Sequence, residues 1–492
     1  MKKVLMKTVI LAASLIGLFC TSCNNSPDNI RDAILNHKNS FYYINFRSYP
    51  SNDESLPVGV FDSGTGGLSV LADIVQHDGL AAESYIYMGD LANMPYGSYS
   101  LENNTDLLIE HVMKDVQFLL GNKYYRSGNA TTPETDKKPV KAIVIACNTA
   151  TAYALDTVKR FLREAGSDIG VIGVTDAGAR GAFGNFTPGE NGSVAVMATD
   201  GTVKSGAYPQ AIMLVNREDG QEEKIAVFQQ AGIGIAEAID GSPDAIDMKA
   251  TAPRADYKGP SENGSGDMKI DQELLERYDF DLSNGAILFE GDAENPRNIQ
   301  INSVENYIAF HVVSLMEKIR KTEGALPLGS VVLACTHYPF FTEIFRNEFS
   351  RLRDYRENGE YIYRSLIAED LILVNPAVEV ADQLYEHLAS RNLLYEGTGE
   401  GSEFYISVPS LTNKQVKLRD DGSFTYDYKY GRKAGEIQEY VKVVPFSRTS
   451  IPEDVLNRLS VQIPGVWALI TEFNSASPKA GYLSPSEKIT VE

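Results

Sequence analysis

Two cysteines stand at the carboxyl ends of apolar runs: Cys147 in Val144-Ile-Ala-Cys-Asn-Thr149 and Cys335 in Val332-Leu-Ala-Cys-Thr-His337. The two hexapeptides form a short internal echo. A thiolate is a working base and a thiol a working acid, so two thiols on opposite sides of one carbon can remove a proton from one face and return one to the other. On the α-carbon of an amino acid that exchange inverts the stereocentre. A single cysteine after Val-Ile-Ala is more often a core residue than a catalyst, and it is the pairing that turns the reading toward chemistry. His337, two residues beyond the second cysteine, is by itself equally at home as a core histidine. Asp62 and Asn148 are by type helix caps, a role that does not exclude a catalytic one.

Positioning two such thiols needs a scaffold with strand ends that face each other. Val58-Gly-Val-Phe-Asp62 reads as a buried strand, Ser63 to Gly67 as a tight glycine turn, and Leu68 to Val75 as the start of a helix. Ala142 to Ala146 and Val331 to Ala334 repeat the strand, each leading through its cysteine toward a helical run. The expected fold is therefore α/β: two pseudo-symmetric lobes with mostly parallel sheets flanked by helices. Both cysteines then sit at strand carboxyl ends, where open α/β sheets bind ligands, and at turns into helices, whose N-termini lower a thiol pKa.

The expected boundaries are 58–175 for the first lobe and 176–340 for the second. Residues 341–392 are expected to form C-terminal helices, and the return of part of the first lobe after residue 340 stays open. Gly121 to Lys138 and Gly241 to Arg297 are turn-rich and read as loop insertions, the second of which would lie over the cleft. From about Leu393 the texture becomes period-two, as in Phe404-Tyr-Ile-Ser-Val408 and Gln415-Val-Lys-Leu418, with Asp421-Gly422 as a hairpin turn. Residues 393–492 are thus expected to be a β-rich C-terminal appendage, with Tyr426, Tyr428 and Tyr430 along one strand face.

The chain has 492 residues, enough for several domain-sized units, with 66 acidic against 45 basic residues and a net charge of −21. That balance offers no cationic footprint for a phosphate backbone, so nucleic acid is not an expected partner. Met1 to Cys23 opens with Lys2, Lys3 and Lys7 and continues through an apolar run too short for a permanent bilayer span. Cys20-Thr21-Ser22-Cys23 resembles a bacterial lipobox, which would make Cys23 the lipidated end of an exported protein, anchored to the membrane and facing the periplasm or cell surface. Asn24 to Pro57 is then expected to act as a polar tether. Cys147 and Cys335 remain as the thiols of the mature chain; a structural disulfide between them is the alternative to two reduced thiols held apart across a substrate carbon.

Five segments together resemble the signature blocks of the glutamate racemase family, in that family's order. They are Val58-Gly-Val-Phe-Asp-Ser-Gly-Thr-Gly-Gly-Leu-Ser-Val70, Gly89-Asp90 with Pro95-Tyr96-Gly97, Ala146-Cys-Asn-Thr-Ala150, Thr199-Asp-Gly-Thr-Val-Lys-Ser205 and Ala334-Cys-Thr-His-Tyr-Pro339. The resemblance covers about Val58 to Leu384 apart from the two insertions. It implies racemisation of an acidic amino acid without pyridoxal phosphate, any other cofactor or a metal. The implied bases are Cys147 and Cys335, assisted by Asp62 and His337, with Glu237 as a further carboxylate. Ser63, Pro95, Tyr96, Gly97, Asn148, Thr149, Thr199, Thr202 and Thr336, together with Asp62 and His337, are the implied contacts to the substrate's carboxylates and amine. Hydroxyls, amides and backbone N–H groups can hold such an anion without an arginine.

The sequence departs from the family in its export signal and its additions, and in Asn375-Pro376, which stands where the family usually has an acidic-polar pair. The six histidines show no metal-ligand spacing, and Lys204 reads as a surface charge. A homodimer is a further implication of the resemblance. Three other readings stand beside glutamate racemisation: an aspartate racemase, an exported lipoprotein that binds an acidic amino acid without turnover, and a tail that docks a protein or glycan.

Overall fold

In the computed structural model, the described residues run from 27 to 490, apart from 188, 219–223, 240, 242, 293–294, 398–400, 421 and 437–438. Residues 1–23, read above as an export signal ending in a lipidated Cys23, lie outside the described residues. No helix among the described residues is long and apolar enough to cross a membrane.

Fourteen strands occur among the described residues. β1 (Val58–Asp62), β2 (Tyr85–Gly89), β3 (Ala142–Ile145) and β4 (Gly170–Gly173) form the parallel heart of the first sheet in the order β2-β1-β3-β4. β5 (Gly192–Ala198), β6 (Ile225–Ala231), β9 (Leu328–Ala334) and β12 (Ile367–Val374) form the second sheet, all parallel, in the order β12-β9-β5-β6. β1, β3, β5 and β9 are buried along their whole length, which requires helices on both faces and explains why they read as unbroken apolar runs. The expected two-lobed α/β scaffold is present.

Hairpin β7 (Ile287–Asp292) and β8 (Asn295–Ile301) belongs to the second insertion, and β10 (Arg356–Glu357) pairs with β11 (Glu360–Tyr361) as a small hairpin. The second insertion is more than loop. Its Ala245, Ile270, Tyr278 and Ile287, with Ile299 just beyond it, share a core with the helix Val304–Arg320, and Tyr307 of that helix donates to the Ala245 carbonyl at 3.0 Å.

Beyond Leu393 the chain returns to the first sheet. β13 (Glu403–Pro409) pairs parallel with β2, and β14 (Val441–Pro445) closes that edge antiparallel to β13. Phe404, Tyr405, Ile406 and Phe446 enter the first lobe's core without exposure. Two expectations for this tail need correction. Gln415 to Leu418 makes only an isolated bridge, Leu418 to Phe424, and Tyr426, Tyr428 and Tyr430 lie on a helix, Tyr426–Gly431. Period-two alternation was misleading there because short aromatic-polar stretches fit one helical turn as well as a strand. Helices Glu453–Gln462 and Pro464–Ala476 follow.

The expected tether is likewise packed. Helix Pro27–Leu35 buries Ile30, Ala33 and Ile34, a spacing of three and four that makes one apolar stripe. The Tyr49 hydroxyl then donates to the Val140 carbonyl at 2.7 Å. The first insertion joins the tail, with Tyr125 N–H donating to the Val443 carbonyl at 2.9 Å. Helix Pro376–Ser390, from beyond the second sheet, packs on Leu68–Gln76 of the first lobe and on Val174–Gly181. Asn375, capping it, donates to Asp73 at 3.0 Å.

Candidate active site

β1 ends in Asp62, and the chain must turn at once into the helix Leu68–Gln76. Asp62 organises that turn: its Oδ2 accepts from Gly64 N–H at 3.1 Å and Gly67 N–H at 3.0 Å. A Cβ on Gly67 would stand 2.5 Å from the Asp62 Cβ, so glycine is required there by close approach. Burial raises the Asp62 carboxyl from its ordinary value, while those N–H groups and the nearby His337 hold it down.

β3, beside β1, leads through Ala146 to Cys147, the N-cap of the helix Asn148–Glu164. Its sulfur accepts from Ala150 N–H at 3.5 Å and lies 3.6 Å from the Ser63 hydroxyl. The thiol is pushed up to about 12, by burial first and by the Asp62 charge second. The expectation that the helix N-terminus would lower it is therefore reversed. A dipole worth about 1 kcal/mol at a helix end does not outweigh full desolvation beside a carboxylate.

In the other lobe β9 ends at Cys335, buried like Cys147, and both cysteines are free thiols. The His337 Nδ1 lies 3.6 Å from the Cys335 sulfur. The two centres are thus built differently, one with a hydroxyl beside the sulfur and one with an imidazole.

The lobes meet around these sulfurs at three places. Ser69 donates to the Thr336 carbonyl at 3.0 Å, and a Cβ on Gly66 would come within 2.6 Å of the Thr336 Oγ1. Tyr208 donates to the Asn148 Oδ1 at 2.7 Å. A Cβ on Gly201 would lie 2.8 Å from the Gly97 Cα, so the two backbones are in contact. A small cavity at the junction is lined by Ser69, Asn148, Cys335, Thr336, Asn375 and Pro376. Asn148, the neighbour of Cys147, and Cys335 therefore border the same space.

Thr199 caps the helix Asp200–Ser205 and lies 3.0 Å from Thr202, hydroxyl to hydroxyl, across from Gly97. Thr149 is buried in the first turn of the Cys147 helix. Tyr96 is placed differently from the expectation. Its hydroxyl is taken up inside the lobe, 2.6 Å from Asp90 and 2.7 Å from Asp115, and it is the Gly97 backbone that meets the other lobe, at Gly201. Glu237 is exposed on the short helix Ile235–Ile239; no hydrogen bond joins it to either cysteine among the described residues, though its charge and Cys335 both bear on the buried Tyr338 hydroxyl. Tyr208 and Asp115 were not singled out from the sequence, because tyrosine and aspartate within helices carry no motif of their own, and Ser69 and Asp90 stood there only as members of the family-like blocks with no role attached. No group of three His, Cys, Asp or Glu among the described residues is arranged to hold a metal ion.

No family model matches the chain. A glutamate racemase from Oceanobacillus iheyensis is 39% identical over 155 residues, covering 32% of this chain and 46% of the relative. One from Pseudomonas paraeruginosa is 27% identical over 355 residues, covering 72% of this chain and 90% of the relative. The chain is similar to glutamate racemases. In the matches of 36–39% identity it spans about half the length of those glutamate racemases. A solved glutamate racemase isoform from Bacillus anthracis overlays with a TM-score of 0.41 at 22% identity, covering 71% of this chain and 87% of that one.

Proposed function

We propose that this protein is an amino-acid racemase acting on glutamate, with Cys147 and Cys335 as opposing acid and base. The observation that carries the reading is the placement of two free, buried thiols just past the carboxyl ends of central strands in two different lobes, with Cys335 and Asn148, the neighbour of Cys147, lining one small cavity. The similarity to glutamate racemases supports the same substrate class.

In one direction Cys335 passes its proton to His337 Nδ1, 3.6 Å away, and the resulting thiolate takes the α-proton. The Cα–H bond breaks and an S–H bond forms on Cys335. Cys147, held as a thiol by burial and by Asp62, delivers its proton to the opposite face, and the product is the mirror-image amino acid. In the other direction the roles exchange. The N-terminus of helix Asn148–Glu164, with Asn148 and Thr149 in its first turn, is suited to a substrate carboxylate. The substrate's ammonium beside Asp62 would offset the charge that holds Cys147 up.

The same proposal includes export of the chain and lipidation at Cys23, which mass spectrometry of the mature N-terminus tests. Racemisation is tested by incubating the protein with L-glutamate in D2O, beside D-glutamate, both aspartates and glutamine. The reading requires α-proton exchange with inversion, fastest for glutamate. Faster turnover of aspartate would reassign the substrate, and saturable binding without exchange would make the protein a binder.

A further inference from the structure

The segment from Gly89 to Asn104 carries Pro95, Tyr96 and Gly97, and almost everything that fixes it from one side belongs to the C-terminal extension. Ser407 of β13 accepts from Ala92 N–H at 3.0 Å and donates to Asp90 at 2.7 Å. Arg432, buried among the rings of Phe424, Tyr428 and Tyr440, donates to Asn93 at 3.3 Å. The Lys429 ammonium donates to the Met94 carbonyl. In return Asn104 donates to the carbonyls of Tyr430 and Arg432, each at 2.7 Å. At the surface the Tyr426 hydroxyl donates to Glu102 at 2.6 Å.

These bonds converge on a proton-counting problem. One tyrosine hydroxyl, that of Tyr96, lies within hydrogen-bond distance of two buried carboxylates and owns a single proton. One of the carboxyls must therefore carry its own proton. Burial raises both carboxyls, Asp115 well above its ordinary value with the Asp90 charge adding to it, while the Ser407, Tyr96 and Asn93 donors hold Asp90 down, so Asp115 donates to the Tyr96 oxygen and Tyr96 donates to Asp90. Asp90 is left as the anion, and it is satisfied by Asn93 at 3.0 Å and by Ser407. Removing Ser407 takes one donor from a buried carboxylate and one acceptor from a backbone amide of the same segment.

We infer that the C-terminal extension, through Ser407 and Arg432, is a positioning element for the Pro95 to Gly97 segment, setting how tightly the junction holds its amino acid. Gly97 transmits the position, because its backbone touches Gly201 beside Thr199 and Thr202 in the other lobe. The chemistry at the two sulfurs is untouched, since no residue of the extension hydrogen-bonds to Cys147 or Cys335 among the described residues.

This inference rests on the racemase reading for its kinetic consequence, so the test pairs kinetics with a readout that needs no activity. Ser407→Ala, Ser407→Thr and the surface variant Tyr426→Phe are compared with the unaltered chain by steady-state racemisation and by amide hydrogen exchange. Ser407→Ala is expected to raise KM for glutamate about tenfold with kcat within about twofold, the result of a lost buried hydrogen bond of roughly 1–2 kcal/mol. Ser407→Thr keeps the hydroxyl and restores KM, and Tyr426→Phe gives a smaller shift in the same direction. Exchange should quicken in residues 90–104 and stay unchanged in the helix Asn148–Glu164. A folded Ser407→Ala variant with unaltered KM or unaltered exchange in 90–104 would overturn the inference, as would a fall in kcat alone. If Ser407→Ala does not fold, Tyr426→Phe with no change in KM or exchange overturns it. An unaltered chain without racemase activity would sink the functional reading, and exchange in the variants would still decide the structural one.

Discussion

Asp62 ends β1 and Cys147 follows the neighbouring β3, and burial first, with the Asp62 carboxylate second, holds the Cys147 thiol in its protonated form. Cys335 has an imidazole at 3.6 Å instead. This asymmetry gives the two half-reactions different pH behaviour. When Cys147 serves as the acid it is ready at neutral pH; when it serves as the base it must first lose a proton that burial and Asp62 retain.

Replacing Asp62 with Asn removes the charge while keeping an acceptor for the Gly64 and Gly67 N–H groups. The Cys147 thiol then comes down. Racemisation in the direction that uses Cys147 as base should set in at lower pH than in the unaltered chain, while the opposite direction loses its acid earlier on the alkaline side. Initial rates from each enantiomer across pH check this; identical profiles for both variants would contradict it.

The same shift predicts a stability change. Cys147 is raised from 9.0 to about 12 in the folded chain, so between those values the folded state binds more protons than the unfolded one. Stability is therefore full below about pH 9 and falls as the pH rises from there toward 12. Cys147→Ala should flatten this alkaline decline in melting temperature, and an equally steep decline would show that the thiol is not its source.

Gly201 is needed for lobe contact. Alanine suits the helix Asp200–Ser205, but its Cβ would meet the Gly97 Cα at 2.8 Å, a backbone atom that cannot swing away. Gly201→Ala should separate the lobes at that point and lower kcat/KM by at least about tenfold with a melting temperature close to the original. Unchanged kinetics would mean that the lobes do not need this approach.

Glu83 and Lys141 form an ion pair at 2.6 Å with both side chains essentially inaccessible, and the Lys141 ammonium also donates to the Leu393 carbonyl at 2.8 Å. Lys141→Met leaves Glu83 buried and uncompensated, so it should cost about 3–5 kcal/mol in denaturant unfolding. The double change with Glu83→Gln should recover much of that loss, and an additive double variant would rule the pairing out.

The strand-cysteine-helix units were legible because a fully buried parallel strand writes itself as an apolar run, and the turn after it is limited to small and capping residues. Cys147, Cys335, Asp62 and His337 could be placed from that pattern. What was not legible depends on contacts distant in sequence. Ile30, Ala33 and Ile34 read as scattered apolar residues in a polar stretch until the first lobe is present to receive them. Ser407 looks like any polar residue in a strand until β13 lies against β2. The raised Cys147 thiol follows from how deeply the strand end is buried, which a local helix N-terminus does not reveal.

The central claim is two-base inversion by Cys147 and Cys335. It is tested most directly by NMR of L-glutamate in D2O with the reduced protein, beside Cys147→Ser and Cys335→Ser. The unaltered chain should lose the α-proton signal with inversion, and either variant should racemise about a thousandfold or more slowly. Inversion that survives either substitution, or no α-proton exchange by a folded protein with both thiols free, would contradict it.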